Sequence, residues 1–563
     1  MNINSEAVKK NTFDAIVIGS GISGGWAAKE LCEKGLKTLV LERGRHVEHI
    51  HDYPTTLSDP WELMHHGAKT LKMKQDAPLQ STMYNFDETS ADFFVKDVEH
   101  PYNQVKPYSW IRGYQTGGKS LLWGRQTYRW SDYDYEANKR DGIAIDWPVR
   151  YAQIAPWYSY VEKFAGISGS KENLAILPDS EFLPPMELNV LEKDVKNKLE
   201  THYNGARKLI IGRVAHLTQP HNGRGACQFR NLCHRGCPYG AYFSSQSATL
   251  PAAKSTGNLT LKNNSVVHSI IYDEKKQKAA GVRVIDALTK EMTEYHAKVI
   301  FVCAGTIASA ALLLNSTSNR FPNGFGNDSE QLGHNLMDHH YHVGAYGSTD
   351  AFQDVYYAGR RPNGIYIPQF RNVHGNENRG YIRGFGYQGG ASRNRVNAEG
   401  FGSEYKAKVS EPGDWSFTLI GFGEQLPHHD NKMSLNANQK DPFGLPMIDM
   451  DVEFKENELN MRKDMGADAA EMLEAAGLKN IGTYRDDPAP GFGIHDMGSA
   501  RMGRDPKTSV LNGFNQMHAC KNVFVTDGSF MVSSGVVNPS LSYMAFTARA
   551  VDYAVAELKK GNL

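Results

Sequence analysis

Residues Phe13 to Ile18 (FDAIVI) make a short, nearly continuous apolar run that opens directly into Gly19-Ser20-Gly21-Ile22-Ser23-Gly24. Such a run predicts a strand buried on both faces, as in parallel sheets. An amphipathic helix is expected from about Ser23 to Lys34, closed by Gly35 in left-handed conformation, and Leu36 to Leu41 makes a second strand ending at Glu42. Strand, glycine turn, helix, strand and acid in this order predict a dinucleotide site. Gly19 permits the tight turn, Gly21 lets backbone approach a pyrophosphate, and Gly24 lets the helix pack close to the strand with its positive end toward the phosphates. Glu42 can accept hydrogen bonds from a ribose, and the adjacent Arg43 is assigned to the same site. The motif alone serves NAD, NADP and FAD alike.

With 563 residues the chain is too long for one compact core, and two large interlocked domains fit it. Lys plus Arg number 62 and Asp plus Glu number 62, which leaves no net charge to hold nucleic acid or an anionic membrane surface. The stretch Val299 to Leu314 is interrupted by Gly305, Thr306 and Ser309 and is too short to span a bilayer. The first dozen residues are polar, so no signal peptide is expected and any export would depend on a partner.

A β-rich region, Leu259–Leu261, Val266–Tyr272 (containing Val267), Gly281–Ile285 and Ala297–Val302, leads to Cys303-Ala304-Gly305 and an apolar helix, Ile307–Leu314. This predicts a hairpin insert and a return to the parent sheet, with Ala304 and Gly305 against the cofactor. Gly117-Gly118-Lys119-Ser120 offers a second glycine loop whose N–H groups can meet the cofactor, in Gly117, Gly118 and Ser120. The region 341–487 reads as a substrate domain with an antiparallel sheet and loops at 357–361 and 389–401.

Three C-terminal segments carry a resemblance: His495-Asp496-Met497-Gly498-Ser499-Ala500-Arg501, Asn522-Val523-Phe524-Val525-Thr526-Asp527-Gly528, and Gly535-Val536-Val537-Asn538-Pro539-Ser540. With Gly117 to Gly124, Asp146-Trp147-Pro148 and Glu424-Gln425-Leu426-Pro427, they resemble the glucose-methanol-choline (GMC) oxidoreductases, especially the sugar-oxidising branch. The resemblance implies FAD, an α/β architecture with a Rossmann-like FAD-binding domain in discontinuous segments, and a second domain on an antiparallel sheet. It implies that His495 is the catalytic base and Asn538 its partner, and that Asp527, Gly528 and Pro539 lie at the cofactor. Leu121, Leu122 and Trp123 supply no nucleophile for a covalent flavin link, so noncovalent FAD is expected. The segments assigned are 1–50, 211–335 and 488–563 for FAD, 51–210 as mixed, and 336–487 for substrate. The chemistry agrees, since a histidine with an ordinary pKa near ~6.5 suits removal of a hydroxyl proton at neutral pH. The segment Gly333 to His340, with three histidines, is expected to be structural.

Of six cysteines, Cys227, Cys233 and Cys237 fall within eleven residues, in an insertion at 225–241 with Cys-Pro at its end. Three thiolates suit a 3Fe-4S cluster, and the segment is similar to the cysteine-rich insertion of bacterial FAD-dependent sugar dehydrogenases. Zinc on the three cysteines and His234, or a disulfide or inert thiols, are the alternatives. The leading expectation is a dehydrogenase of a sugar or glycoside, at C3 of a glucoside or at C1 or C2 of an aldose. Electrons would pass through the cluster to a cytochrome c or a quinone-linked acceptor. A small signal-bearing subunit is the expected partner, with the periplasm favoured over the cytoplasm. An oxygen-using sugar oxidase and a non-catalytic flavin-binding redox sensor are the competing readings.

Overall fold

The computed structural model describes residues 11–356, 361–396 and 398–563. The polar first ten residues and most of the 357–361 loop lie outside them.

The apolar run and its neighbours form the expected unit: β1 (Thr12–Ile18), α1 (Ile22–Glu33) and β2 (Thr38–Leu41). Strands β3 (Leu259–Lys262), β4 (Ser265–Asp273), β5 (Lys278–Asp286) and β6 (Met292–Val302) follow, then α2 (Thr306–Asn315). Together with β14 (Val523–Val525) they make one seven-stranded sheet in the order β3-β2-β1-β6-β5-β4, with β14 beside β6. The pairs β3–β2, β2–β1, β1–β6 and β6–β14 are parallel, whereas β6–β5 and β5–β4 are antiparallel. The hairpin insert is therefore β4–β5, and the chain returns to the parallel sheet along β6.

Ala15, Ile16 and Val17 on β1 are fully buried, as a doubly covered parallel strand requires. One cover is α1, whose Trp26, Ala27, Ala28 and Leu31 have no exposed surface, packed beside the terminal helix α4 (Ser540–Lys559). Two glycines permit this. Gly19 has φ +94, and a Cβ there would lie 2.5 Å from the Cys303 carbonyl oxygen; a Cβ on Gly24 would lie 1.9 Å from that of Gly19. Only bare backbone lets α1 sit this close to β1.

The second sheet is antiparallel throughout. It contains β7 (His340–Thr349), β8 (Ile365–Ile367), β9 (Phe385–Arg395), β10 (Pro412–Gly423) and β13 (Lys479–Arg485) in the order β13-β7-β10-β9-β8, with Ile210–Ile211 at the edge. On β10, Trp415, Phe417 and Leu419 turn into a core formed with Met461, Met465 and Met472 of α3 (Glu456–Ala475). Because side chains alternate, Ile420 and Phe422 face the other way, toward the first domain. Gln388 of β9 pairs with Ile420 and shares that face. The expected loop at 389–401 is strand as far as Arg395, because Gly389 to Arg393 pair in register with Leu419 to Trp415. A smaller hairpin, β11 (Lys432–Lys440) and β12 (Pro446–Asp451), completes the structure. Among the described residues no helix is long and apolar enough to cross a membrane.

Candidate active site

The carboxyl ends of β1, β2, β6 and β14 open on one cavity of about 320 Å³, lined there by Ile18, Leu41, Cys303 and Asp527. Ligands of parallel α/β sheets bind at this edge. Of the residues expected at a cofactor, Gly19, Gly21, Glu42, Arg43, Gly118, Ser120, Val267, Ala304, Gly305, Asp527 and Gly528 line this cavity. His495 and Asn538 line its other end. Gly24, Gly117 and Pro539 do not line it. Gly24 is covered by the Gly19 turn, Gly117 is backed by the Gln246 side chain, and Pro539 immediately precedes the first turn of α4.

At the nucleotide end, Glu42 is buried and accepts from the Ser20 N–H at 3.1 Å and the Gly44 N–H at 2.9 Å. Burial pushes its carboxyl above the ordinary value, against the pull of these donors. Ser20 Oγ also accepts the Gly117 N–H at 2.8 Å, which ties the second glycine loop to the first. The Arg43 guanidinium lies 4.7 Å from the Tyr114 ring centroid and 5.1 Å from that of Phe443, with Asp441 at 3.3 Å. Phe443 and Asp441 come from the β11–β12 connection, which the sequence reading did not name as part of the site. Asp527 has a second duty: it accepts the Gly305 N–H at 2.9 Å and the Ser529 N–H at 3.0 Å, fixing the turn that starts α2. Bare glycine backbone, a buried acid and the N-terminal ends of α1 and α4 on one elongated cavity fit a flavin dinucleotide.

At the other end, residues 337 and 497 form an isolated antiparallel bridge, which sets Asp338-His339 beside His495-Asp496. The buried Asp338 carboxylate collects four backbone N–H groups: His339 at 2.8 Å, His495 at 3.0 Å, Gly491 at 2.9 Å and Gly493 at 2.7 Å. Burial and the Asp496 carboxylate push it up to about 7, against those four donors. The loop carrying His495 is thus stapled from below. Asp496 itself accepts the Tyr108 hydroxyl at 2.6 Å and the Lys119 ammonium at 3.1 Å.

The tautomers follow from one carbonyl. His339 Nε2 lies 2.9 Å from the Gly535 oxygen, which can only accept, so that nitrogen carries a proton. Burial holds His339 down at about 4, so the ring is neutral at pH 7 and its Nδ1 is an acceptor. His495 Nδ1, 2.8 Å away, must donate to it. Burial, then the neighbouring His339 and Lys119, holds His495 well below the ordinary histidine value. Its Nε2 therefore presents a lone pair, 3.1 Å from Asn538 Nδ2. His339 is thus part of the site, which corrects the purely structural reading of the Gly333 to His340 segment. The nearest sequence signal was the run of histidines itself.

Cys227, Cys233 and Cys237 lie near enough that the other two act electrostatically on the Cys227 thiol. Among the described residues no three His, Cys, Asp or Glu side chains converge on a point that could hold a metal ion, and the cysteines are free thiols. Cys233 and Cys237 pack against the main core, while Cys227 Sγ accepts the Phe229 N–H at 3.4 Å within its own turn. Burial pushes the Cys227 thiol up to about 11, and the nearby Cys233 and Cys237 add to the rise. Neither an assembled three-thiolate centre nor a zinc site with His234 is seen among the described residues.

A dinucleotide cavity that ends at an unprotonated imidazole nitrogen beside an amide suits an oxidoreductase that removes a hydroxyl proton. The GMC oxidoreductase family matches residues 13–341 with its N-terminal part and residues 427–547 with its C-terminal part, and the chain belongs to this family. The protein is an FAD-dependent oxidoreductase acting on CH–OH groups. It is 28% identical to 2-methyl-1,2-propanediol dehydrogenase from Mycolicibacterium austroafricanum, over 96% of this chain and 94% of that one. It is 24% identical to the fructose dehydrogenase large subunit from Gluconobacter japonicus, over 97% and 98%, and 24% identical to paromamine 6'-oxidase from Streptomyces fradiae, over 97% and 92%. A formate oxidase variant from Aspergillus oryzae RIB40 shares the fold, with a TM-score of 0.61 at 14% identity over 98% of this chain and 99% of that one. Enzyme function removes the non-catalytic sensor reading.

Proposed function

We propose that the protein is a dehydrogenase that oxidises a carbinol of a sugar or glycoside, with His495 as base and Asn538 as orienting partner. The observation that carries this reading is the His495 Nε2 lone pair at 3.1 Å from the Asn538 amide, both at the cavity wall. A substrate hydroxyl inserted between them donates its proton to His495 Nε2 and accepts a hydrogen bond from Asn538 Nδ2. The imidazolium formed there keeps its Nδ1–H bonded to neutral His339, and the Asp338 staple holds the loop that carries it. The Gly19 turn, Glu42 and the Gly118 loop would hold FAD noncovalently, and FAD so bound would supply the hydride acceptor. Met83, Phe94 and Ile494 add apolar wall near the base, and Asn85 and Gln126 add polar groups, a mixture suited to a sugar's ring faces and hydroxyls.

The substrate test is an anaerobic titration of the FAD-loaded enzyme with glucose, a methyl glucoside, a disaccharide and a small vicinal diol, followed at the flavin absorbance. Bleaching by a sugar, with recovery on an artificial acceptor rather than on air, is the expected result. Bleaching by the diol alone would replace the sugar with the class named for the Mycolicibacterium relative. Rapid recovery in air would favour an oxidase, the reading to which the Streptomyces relative's name lends weight. Because His495 is held neutral, kcat/KM for the reactive substrate is expected to stay level as pH falls through ~6.5, its His495 limb lying well below.

The electron route rests on sequence alone: three cysteines in eleven residues and the likeness of their segment to iron–sulfur insertions. Iron and acid-labile sulfide in fixed ratio to flavin, in anaerobically purified protein, would establish a cluster. Iron-free, fully active protein would eliminate it. A small partner subunit, an external cytochrome or quinone acceptor and co-export to the periplasm complete the proposal; one relative is itself named a large subunit.

A further inference from the structure

The donor sequence that starts at the Gly535 carbonyl does not stop at His495. Since His495 Nε2 is an acceptor, Asn538 must turn its NH2 toward it, which points Oδ1 the other way. There Gln388 Nε2 lies 2.8 Å from Asn538 Oδ1. An amide end that meets Oδ1 must be the donating end, so Gln388 is fixed too. Gln388 reaches this point because it stands on the inward face of β9, opposite Tyr387, whose side chain is fully buried among the methionines of α3.

We propose that Gln388 is a positioning residue: by donating to Asn538 Oδ1 it sets which end of the Asn538 amide faces His495, and so keeps His495 Nε2 an unprotonated acceptor that the substrate hydroxyl takes over from Asn538. The inference rests on the reading of His495 as base and adds a residue from the other domain to it. The second sheet thereby acts on the base through Asn538, in addition to the Phe422 ring, whose centroid lies 6.4 Å from that of His495. The titratable groups around His495 are His339, Lys119, Asp338 and Asp496, with Tyr108 on Asp496, and none of them contacts the Asn538 amide oxygen.

Gln388→Glu is the informative change, because it keeps size and replaces a donor with a group that only accepts when ionised. Asn538 then gives its NH2 to residue 388 and its Oδ1 to His495 Nε2. Two acceptors face each other, and a proton on Nε2 relieves the conflict. The acid limb of kcat/KM is expected to move up by about one pH unit or more. At pH 7, where His495 stays unprotonated, kcat/KM is expected to fall about tenfold because the reversed Asn538 amide no longer donates to the substrate hydroxyl. Gln388→Met, which removes the donor without reversing polarity, is expected to leave the limb in place and cost less activity. A purely structural role predicts that Met is at least as harmful as Glu.

A carboxylate also acts through space, and a double-mutant cycle separates the two effects. In an Asn538→Ala background, Gln388→Glu should no longer move the limb. A shift of equal size in both backgrounds, no shift in the single variant, or equal damage from Met and Glu would each overturn the proposal. The same His495 titration can be read without turnover from 13C-labelled histidine spectra of the FAD-loaded enzyme, assigned by the signal lost in His495→Ala. If no alcohol reduces the wild-type flavin, the functional reading fails, while those spectra still decide the role of Gln388.

Discussion

His495→Ala in the FAD-loaded enzyme is expected to slow flavin reduction by substrate by a factor of ~10²–10⁴, the usual worth of a positioned general base. The size follows from the isolation of the lone pair. Nε2 of His495 is the basic atom at the cavity end; His339 has its Nε2 proton committed to Gly535 and its Nδ1 covered by His495. Lys119 is bonded to Asp496 and Tyr108 donates to the same carboxylate, so neither offers a free base. FAD content should be unchanged, because His495 bonds to His339 and Asn538 and not to Glu42 or the Gly19 turn. Stability should drop modestly, by about 1–3 kcal/mol, because His339 Nδ1 is left buried without its donor. Stopped-flow reduction under anaerobic conditions, with flavin content and a thermal midpoint alongside, checks all three. A loss below tenfold with full FAD content would mean that the hydroxyl proton leaves by another group.

The sequence was legible wherever function depends on neighbours along the chain. The GxGxxG turn, its flanking strands and Glu42 are one local unit, and each glycine has a steric reason that any strand–turn–helix of this kind shares. The helices expected at 23–34, 307–314 and 540–558 stand within two residues of those observed, because their ends are set by local signals such as Gly35 and Pro539. What sequence did not disclose are contacts across the fold. His339 meets His495 only because residues 337 and 497 bridge. Gln388 meets Asn538 only because an antiparallel sheet from one domain lies over the end of a helix from the other. Asp441 and Phe443 reach Arg43 only because a hairpin folds back over the nucleotide end. No periodicity encodes such meetings. The cysteines are another case: proximity in sequence suggested one ligand set, and in the fold Cys233 and Cys237 pack, half-buried, against the core while Cys227 bonds within its own turn.

Gly24→Val is expected to abolish FAD binding and to destabilise the whole protein, even though Gly24 does not line the cavity. An added Cβ would lie 1.9 Å from the Gly19 carbonyl oxygen and 2.8 Å from its carbon. Both are backbone atoms, so no rotamer change makes room; either α1 lifts away from β1 or the Gly19 turn deforms. Lifting α1 unseats Trp26, Ala28 and Leu31 from the core and moves the helix's positive end away from the phosphate position. Overpacking in a well-filled core costs about 1–3 kcal/mol when side chains can yield, and backbone overlap sets that as a lower bound. Gly35→Ala is the matched comparison. Gly35 has φ +86 with nothing within 4 Å of an added Cβ, so it carries only the backbone penalty, about 1–2 kcal/mol, at the far end of the same helix. That variant should keep its flavin at one per chain while melting a few degrees lower. The ratio of flavin to protein absorbance and a thermal melt distinguish the two. Full flavin occupancy in Gly24→Val, with a melting point no lower than that of Gly35→Ala, would disprove the tight seating of α1 on β1. It would also mean that FAD binding does not depend on a bare glycine at this position.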